Sequence, residues 1–166
     1  LGPEMKSTGE AMGIDIELPA AFAKAQIASS NSLPTSGNAF VSVKDEDKDK
    51  IVPLCRNLVS LGFSIVSTKG TNDHLKANGI ASKLVNKVKD GNGNIVDLLK
   101  NREIDILVNT TSTKKEILES FSIRRTALTK QVPYFTTIAG ALAAISAIEY
   151  LKEGIINVRP LQEYFK

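Results

Sequence analysis

FSIVSTKGTNDHLKANG, residues 63–79, passes from an apolar β-branched run, through a cluster of small hydrogen-bonding groups, into a helical pattern. "FSIVST" reads as a strand and "NDHLKAN" as a short helix, with Gly79 placed to supply its left-handed C-terminal residue. Between them stand Thr68, Lys69, Gly70 and Thr71. A glycine lets a ligand approach the backbone closely, threonines offer hydroxyls, and a helix entered at Asn72 aims its amide donors and positive dipole end at the same point. Thr71 or Asn72 serving simply as the helix N-cap is the plainer reading of these residues. An anion, above all a phosphate, is the functional one.

The alternation of strand and helix continues on both sides of this stretch. "AFVSV" (39–43) is a short strand, and "DKDKIVPLCRNLVSLG" sets Ile51, Leu54, Cys55, Leu58 and Leu61 on one helical face, with Pro53 in its first turns. "KLVNKV" (83–88) suits a short strand, "NIVDLLKNR" a helix and "IDILVNTT" the strongest strand of the chain. "KKEILES" and "SIRRTALTKQ" read as two helices, "VPYFTT" as a strand, and "IAGALAAISAIEYLKEG" as a helix apolar nearly all round. About five strand–helix repeats predict an α/β fold, a three-layer α/β/α arrangement around a five-stranded parallel, Rossmann-like sheet. Residues 1–36 differ in composition: a polar, aperiodic opening, a helix over Leu18 to Ala28 and the linker "SSNSLPTSGN". The compact domain is therefore expected over 37–166.

In an open α/β sheet, ligands bind beyond the carboxyl ends of the strands. Three loops there carry polar groups: "STKGT", "NTTST" with Asn109, Thr110, Thr111 and Ser112, and "YFTTIAG". Two hydroxyl-rich strand ends in one sheet favour an anion pocket over a pair of unrelated caps. Lys48 and Lys87 reach the same edge as point charges suited to a phosphate. Arg124 and Arg125 fit pairing along a helix face with Glu116 or Glu119.

Composition narrows the rest. The 166 residues are 42% apolar and 23% charged, as in an ordinary globular protein. The net charge of +3 comes from lysines alternating with acids, as in "VKDEDKDK", with sparse aromatics, so no nucleic acid is expected as a partner. One cysteine and one histidine exclude a disulfide framework and a zinc site, and no metal is expected. No run suits a membrane span or signal peptide, so a cytoplasmic chain without membrane partners is expected. "GNGN" at 91–94 lacks the Lys-Ser/Thr of a phosphate-loop NTPase, and no Ser-His-Asp set or catalytic carboxylate pair stands out.

"KSTGEAMGID" (6–15), "AFAKAQ" (21–26), "SVKDEDK" (42–48), "STKGT" (67–71), "LVNKV" (84–88), "DILVNTTS" (105–112), "SIRRTAL" (122–128) and "VPYFTT" (132–137) occur in that order. The ordered set resembles the C-terminal end of the carbamoyl-phosphate synthase large chain. The resemblance implies that 1–36 is a remnant of the preceding ATP-grasp synthetase domain plus linker helix, and that 37–166 is an allosteric domain of the methylglyoxal-synthase-like fold. It further implies binding of UMP or IMP by Ser42, Lys48, Thr68, Gly70, Thr71, Lys87, Asn109 and Thr111. Tyr134 and Thr136 are implied in an ornithine site shared with carboxylates of a domain absent here, which makes ornithine a third candidate ligand. Implied partners are the synthetase domains of the same chain and the glutaminase small chain, with a homo-oligomer left open. The implied parent enzyme uses ATP with Mg or Mn and makes carbamoyl phosphate for pyrimidine and arginine biosynthesis, whereas no cofactor and no catalytic residue is expected in this segment. Two related readings compete. A methylglyoxal synthase acting on dihydroxyacetone phosphate needs a Gly-Gly-Asp loop and catalytic aspartates that "VKDGNGNIVDL" does not supply. The related domain of the purine enzyme that makes IMP is disfavoured by "KSTGEAMG".

Overall fold

The computed structural model describes residues 11–86, 93–154 and 156–165. Its strands are β1 (Gly37–Ser42), β2 (Phe63–Ser67), β3 (Lys83–Leu84), β4 (Ile106–Asn109) and β5 (Tyr134–Phe135). They form one parallel sheet in the order β3-β2-β1-β4-β5. The interior strands are apolar and β-branched because both their faces are covered; all four residues of β4 are buried. Among the described residues, the strands expected over 83–88 and 132–137 hold only two residues each. Both are edge strands with a single neighbour, so pairing persists only where the register supports it.

The helices are α1 (Leu18–Ala28), α2 (Lys48–Ser60), α3 (Lys69–Ala77), α4 (Ile95–Lys100), α5 (Lys114–Thr129) and α6 (Ile138–Lys152). A 3-10 turn over Asp45–Asp47 leads into α2, and Pro53 lies inside that helix rather than at its start. Pro53 is on the exposed side, where water can satisfy the carbonyl that its missing amide leaves unpaired. The two helices expected over 114–131 are one continuous helix, opened by a capping box in which Thr113 accepts the Glu116 amide and Glu116 accepts the Thr113 amide. None of the described helices is long and apolar enough to cross a membrane.

The chain divides into two compact units, Ser36–Leu142 and Leu1–Thr35 with Ala143–Lys166. In the latter, Lys24 Nζ lies 2.6 Å from Asp15 Oδ2, and the Tyr164 hydroxyl donates to Ile14 O at 3.3 Å. The hydrogen bond from Lys24 holds the Asp15 carboxyl below its ordinary range. In Ser36–Leu142, Phe40, Val66 and Leu107 stand side by side on adjacent strands and pack with Ile95, Leu99, Ile123 and Ala127 of α4 and α5. Fully burying each large apolar side chain contributes about 1.5–3 kcal/mol, so this face fixes the positions of α4 and α5. The chain crosses β1–β2–β3 in one direction and β4–β5 in the other, and right-handed crossovers then place α2 and α3 on the opposite face from α5. α2 packs along β2 with Ile51, Leu54, Cys55 and Leu58 turned inward. Burial pushes the Cys55 thiol up to about 12.

Gly37, where β1 begins, has φ +123°, and a Cβ there would fall 2.0 Å from Asp105 Oδ2, the atom that accepts the Asn38 amide at 2.7 Å. Gly37→Ala is expected to lower the unfolding free energy by at least about 1–3 kcal/mol from backbone strain alone, measured by urea denaturation. An unchanged midpoint would show that the entry to β1 is not constrained in this way.

Candidate functional site

The register sets the strand ends level. Val41 pairs with Ser67 and Val108, Ser42 with Asn109, and Ser67 with Leu84, so the loops after β1, β2, β3 and β4 leave from one edge of the sheet. The strand order reverses between β1 and β4, and the ends of an open sheet diverge at such a point to leave a crevice. A cleft of about 700 Å³ occupies it. Ser42, Lys48, Thr68, Gly70, Thr71, Asn109 and Thr111, singled out from sequence, all line it. Lys87 lies outside the described residues. Tyr134 and Thr136, at the end of edge strand β5, do not line the cleft.

The wall on the β2 side is the N-terminus of α3. This helix starts at Lys69 and not at Asn72: its first backbone bond runs from the Asn72 amide to Thr68 O, 2.8 Å. Thr68, rather than Thr71 or Asn72, therefore holds the N-cap position, yet its side chain makes no cap bond and instead meets Ser42 Oγ at 3.0 Å. The amides of Lys69, Gly70 and Thr71 consequently have no intrahelical acceptor. Thr71 Oγ1 accepts the Val43 amide at 3.2 Å and keeps its own proton to donate. Lys48 Nζ lies 3.5 Å from the position a Cβ on Gly70 would take, directly over this first turn.

The other wall comes from the end of β4. Thr110 Oγ1 accepts the Lys44 amide at 3.1 Å, and the Thr110 amide donates to Ser42 O at 3.1 Å, which ties β4 to β1 just past the last paired residues. Asn109 donates from Nδ2 to Ser42 O at 3.4 Å and accepts on Oδ1 from Arg124 at 3.2 and 3.3 Å. Arg124 also donates to Asn109 O and to Thr111 Oγ1. It does not pair with Glu116, whose carboxylate is held by the Ser112 and Thr113 amides at 2.7 and 3.2 Å. A half-buried guanidinium on neutral acceptors adds positive charge behind the cleft. Val43, Ile95, Leu118 and Ile123 supply an apolar side.

Three contributors escaped the sequence reading: Lys44, Arg124 in this role and the apolar side formed with Leu118. Lys44 looked like one of many solvated charges in "VKDEDKDK", but its position right after β1 was the available signal. Lys44 Nζ pairs with Glu46 at 2.8 Å and Lys48 Nζ with Asp45 at 2.7 Å. The hydrogen bond from Lys48 holds the Asp45 carboxyl below its ordinary range, and the bond that Lys44 donates to Glu46 raises the lysine. Among the described residues no group of three or more His, Cys, Asp and Glu side chains is placed to hold a metal ion. A polar end rich in amides, hydroxyls and ammonium groups beside an apolar wall suits a phosphorylated ligand with a flat or apolar body.

Comparison with known proteins agrees with this architecture. Over 165 residues the chain is 48% identical to the carbamoyl phosphate synthase large chain of Mesorhizobium japonicum, covering 99% of this chain and 14% of that protein. It is 51% identical over 164 residues to the large chain of Myxococcus xanthus, of which it covers 15%. It is 48% identical over 167 residues to the C-terminal section of the large chain of Methanopyrus kandleri, of which it covers 31%. The chain thus spans about a seventh of the full large chains it matches. A crystal structure of methylglyoxal synthase from Elizabethkingia anophelis shares the fold, with a TM-score of 0.51, 16% identity, and coverage of 81% of this chain and 93% of that one. The family described as MGS-like domain matches residues 50–136, more than half of the sequence and most of the cleft-bearing unit, and the chain belongs to that family.

Proposed function

We propose that this chain is a regulatory module of a carbamoyl phosphate synthase large chain that senses UMP or IMP in the cleft between β1 and β4. The observation that carries the reading is Lys48. It is the first residue of α2 and its ammonium also lies over the first turn of α3, so it faces the positive ends of two helices. A cation at a helix N-terminus is unfavourable by roughly 0.3–1 kcal/mol. Its partner Asp45 is 91% exposed, and such a pair returns only about 0–1 kcal/mol. Stability therefore does not account for the position of Lys48. A phosphate between the ammonium and the uncapped amides of Lys69, Gly70 and Thr71 does. The likeness to the large chains, over almost the whole of this chain, supports placing the module in such a synthase.

On this reading the phosphate sits among Lys48, the α3 amides and the Thr68 and Thr71 hydroxyls, joined by Lys87, with Ser42 and Asn109 holding the two walls together. The base rests against Leu118, the exposed apolar side chain of the lining. Methylglyoxal production from dihydroxyacetone phosphate is the assay that separates an enzyme from a sensor. Ornithine is proposed to use Tyr134 and Thr136 together with carboxylates of a preceding domain.

Calorimetric titration with UMP and with IMP tests the site. Charge-assisted hydrogen bonds contribute about 1.5–3 kcal/mol, so Lys48→Ala is expected to weaken binding roughly ten- to a hundredfold. An added methyl on Gly70 meets only ordinary contact with Lys48, so Gly70→Ala should fold and gain up to about 1 kcal/mol of helix stability. It should nevertheless bind nucleotide more weakly, because the methyl stands between ammonium and amides. Nucleotide affinity unchanged in both variants would refute the placement. For ornithine, two or three missing carboxylate bonds of about 1.5–3 kcal/mol each leave this chain alone with no binding tighter than millimolar. Tight saturable ornithine binding would assign Tyr134 and Thr136 to a self-contained pocket.

A further inference from the structure

Lys44, Asp45, Glu46 and Lys48 all line the cleft, with the two acids lying between the two lysines along five residues of chain. The two lysines are mostly covered, with side chains 26% and 25% exposed, whereas Glu46 and Asp45 are 73% and 91% exposed. The ammonium groups are thus seated at the cleft and the carboxylates reach them from its solvent rim. Contacts of 2.8 and 2.7 Å leave each lysine already holding an anionic oxygen. Both carboxylates come from the 3-10 turn Asp45–Asp47, which makes them covalently tethered and always present at high local concentration.

We propose that Asp45 and Glu46 are built-in competitors for the anion site, counter-ions that an incoming anion must displace and that thereby exclude simple inorganic anions in favour of phosphate esters with an apolar body. The inference deepens the proposed function and rests on its anion site at Lys48, though not on the identity of the nucleotide. A bare phosphate or sulfate exchanges one set of charge-assisted bonds for another and gains little. A ligand that also covers Leu118, which lines the cleft and is 75% exposed, adds apolar burial that the carboxylates do not supply. The fixed acids beside the site also repel any dianion that leaves them in place. Neighbouring charges do not relieve this: Asp47 is engaged by Lys50 at 3.2 Å, and Glu116 is held in its capping box.

Inorganic sulfate is the probe, since it stays a dianion across neutral pH and offers no apolar body. It is titrated calorimetrically into the chain and its variants, with thermal unfolding as the check on folding. Exposed pairs are weak, so Asp45→Asn should tighten sulfate binding about two- to fivefold, and Asp45→Asn with Glu46→Gln about five- to twentyfold. The gain should vanish when Lys48→Ala is added, and UMP should gain less than sulfate does. Glu103→Gln, an exposed acid hydrogen-bonded to Asn101 ahead of β4, changes net charge equally and should leave sulfate affinity unmoved. Sulfate affinity unchanged or weakened in Asp45→Asn, an equal gain in Glu103→Gln, or no sulfate binding by any variant would each overturn the proposal. A sulfate response as expected without UMP or IMP binding would instead leave the competitor role standing and remove the nucleotide reading.

Discussion

The pairing of β1 with β4 is the constraint on which the site depends. Thr110 N–H to Ser42 O and Lys44 N–H to Thr110 Oγ1 continue the ladder past its last formal residues, and Asn109 adds a side-chain bond to the same carbonyl. Because these bonds fix the β1 exit, they also fix where the 3-10 turn begins and where Lys48 enters α2. On the other side, Ser42 meets Thr68 and Val43 meets Thr71, so the same short segment locates the first turn of α3. Both walls of the cleft therefore refer to residues 42–44.

Behind this frame lies a second polar layer that orders the rest. Asn72 is buried and accepts from Ser82 Oγ at 2.6 Å, while Ser82 meets Ser67 at 3.0 Å. A buried amide left unpaired costs about 1–3 kcal/mol, so this chain of groups pins α3 to the strand end and to the start of β3 together. Arg124 does the corresponding service for the β4 side by bracketing Asn109 and Thr111. The polar groups of the cleft are thus mostly engaged already. What is left over is specific: three helix amides and donor protons on hydroxyls, beside two lysines whose partners are carboxylates of the solvent rim.

How much of this was legible in the sequence depended on range. The alternation of strand and helix, the parallel sheet and most polar residues of the cleft followed from local pattern, because β-branched runs and strand-end hydroxyls carry their meaning within a few positions, while Ser42 entered only through the family resemblance. The start of α3 was misplaced by three residues, since Thr68 looked like strand, whereas its carbonyl accepts the Asn72 amide and makes it the N-cap position. Arg124 was read as a helix-surface charge because spacing along a helix says nothing of a strand end packed beneath it. The division of α5 into two helices fell at Phe121, where an exposed aromatic next to the buried Ser120 breaks the apolar period. The short edge strands were overextended because composition does not reveal how many neighbours a strand has.

The position of the cleft at the β1–β4 seam bears on how the molecule folds. Asn38 and Asp105, which meet there, are 67 residues apart in the chain. β1 with β2 closes a much shorter span, so the β3-β2-β1 side of the sheet can assemble from nearby segments while β4 waits on a long closure. Loop entropy rises only slowly with length, by about 0.6 kcal/mol per doubling, but contacts of high sequence separation slow the approach to the native state. The crevice is therefore completed by the slowest class of contact in the unit. An anion bridging the β1 exit and α3 to the end of β4 would act on the closed state alone and, by mass action, would oppose any opening of that seam.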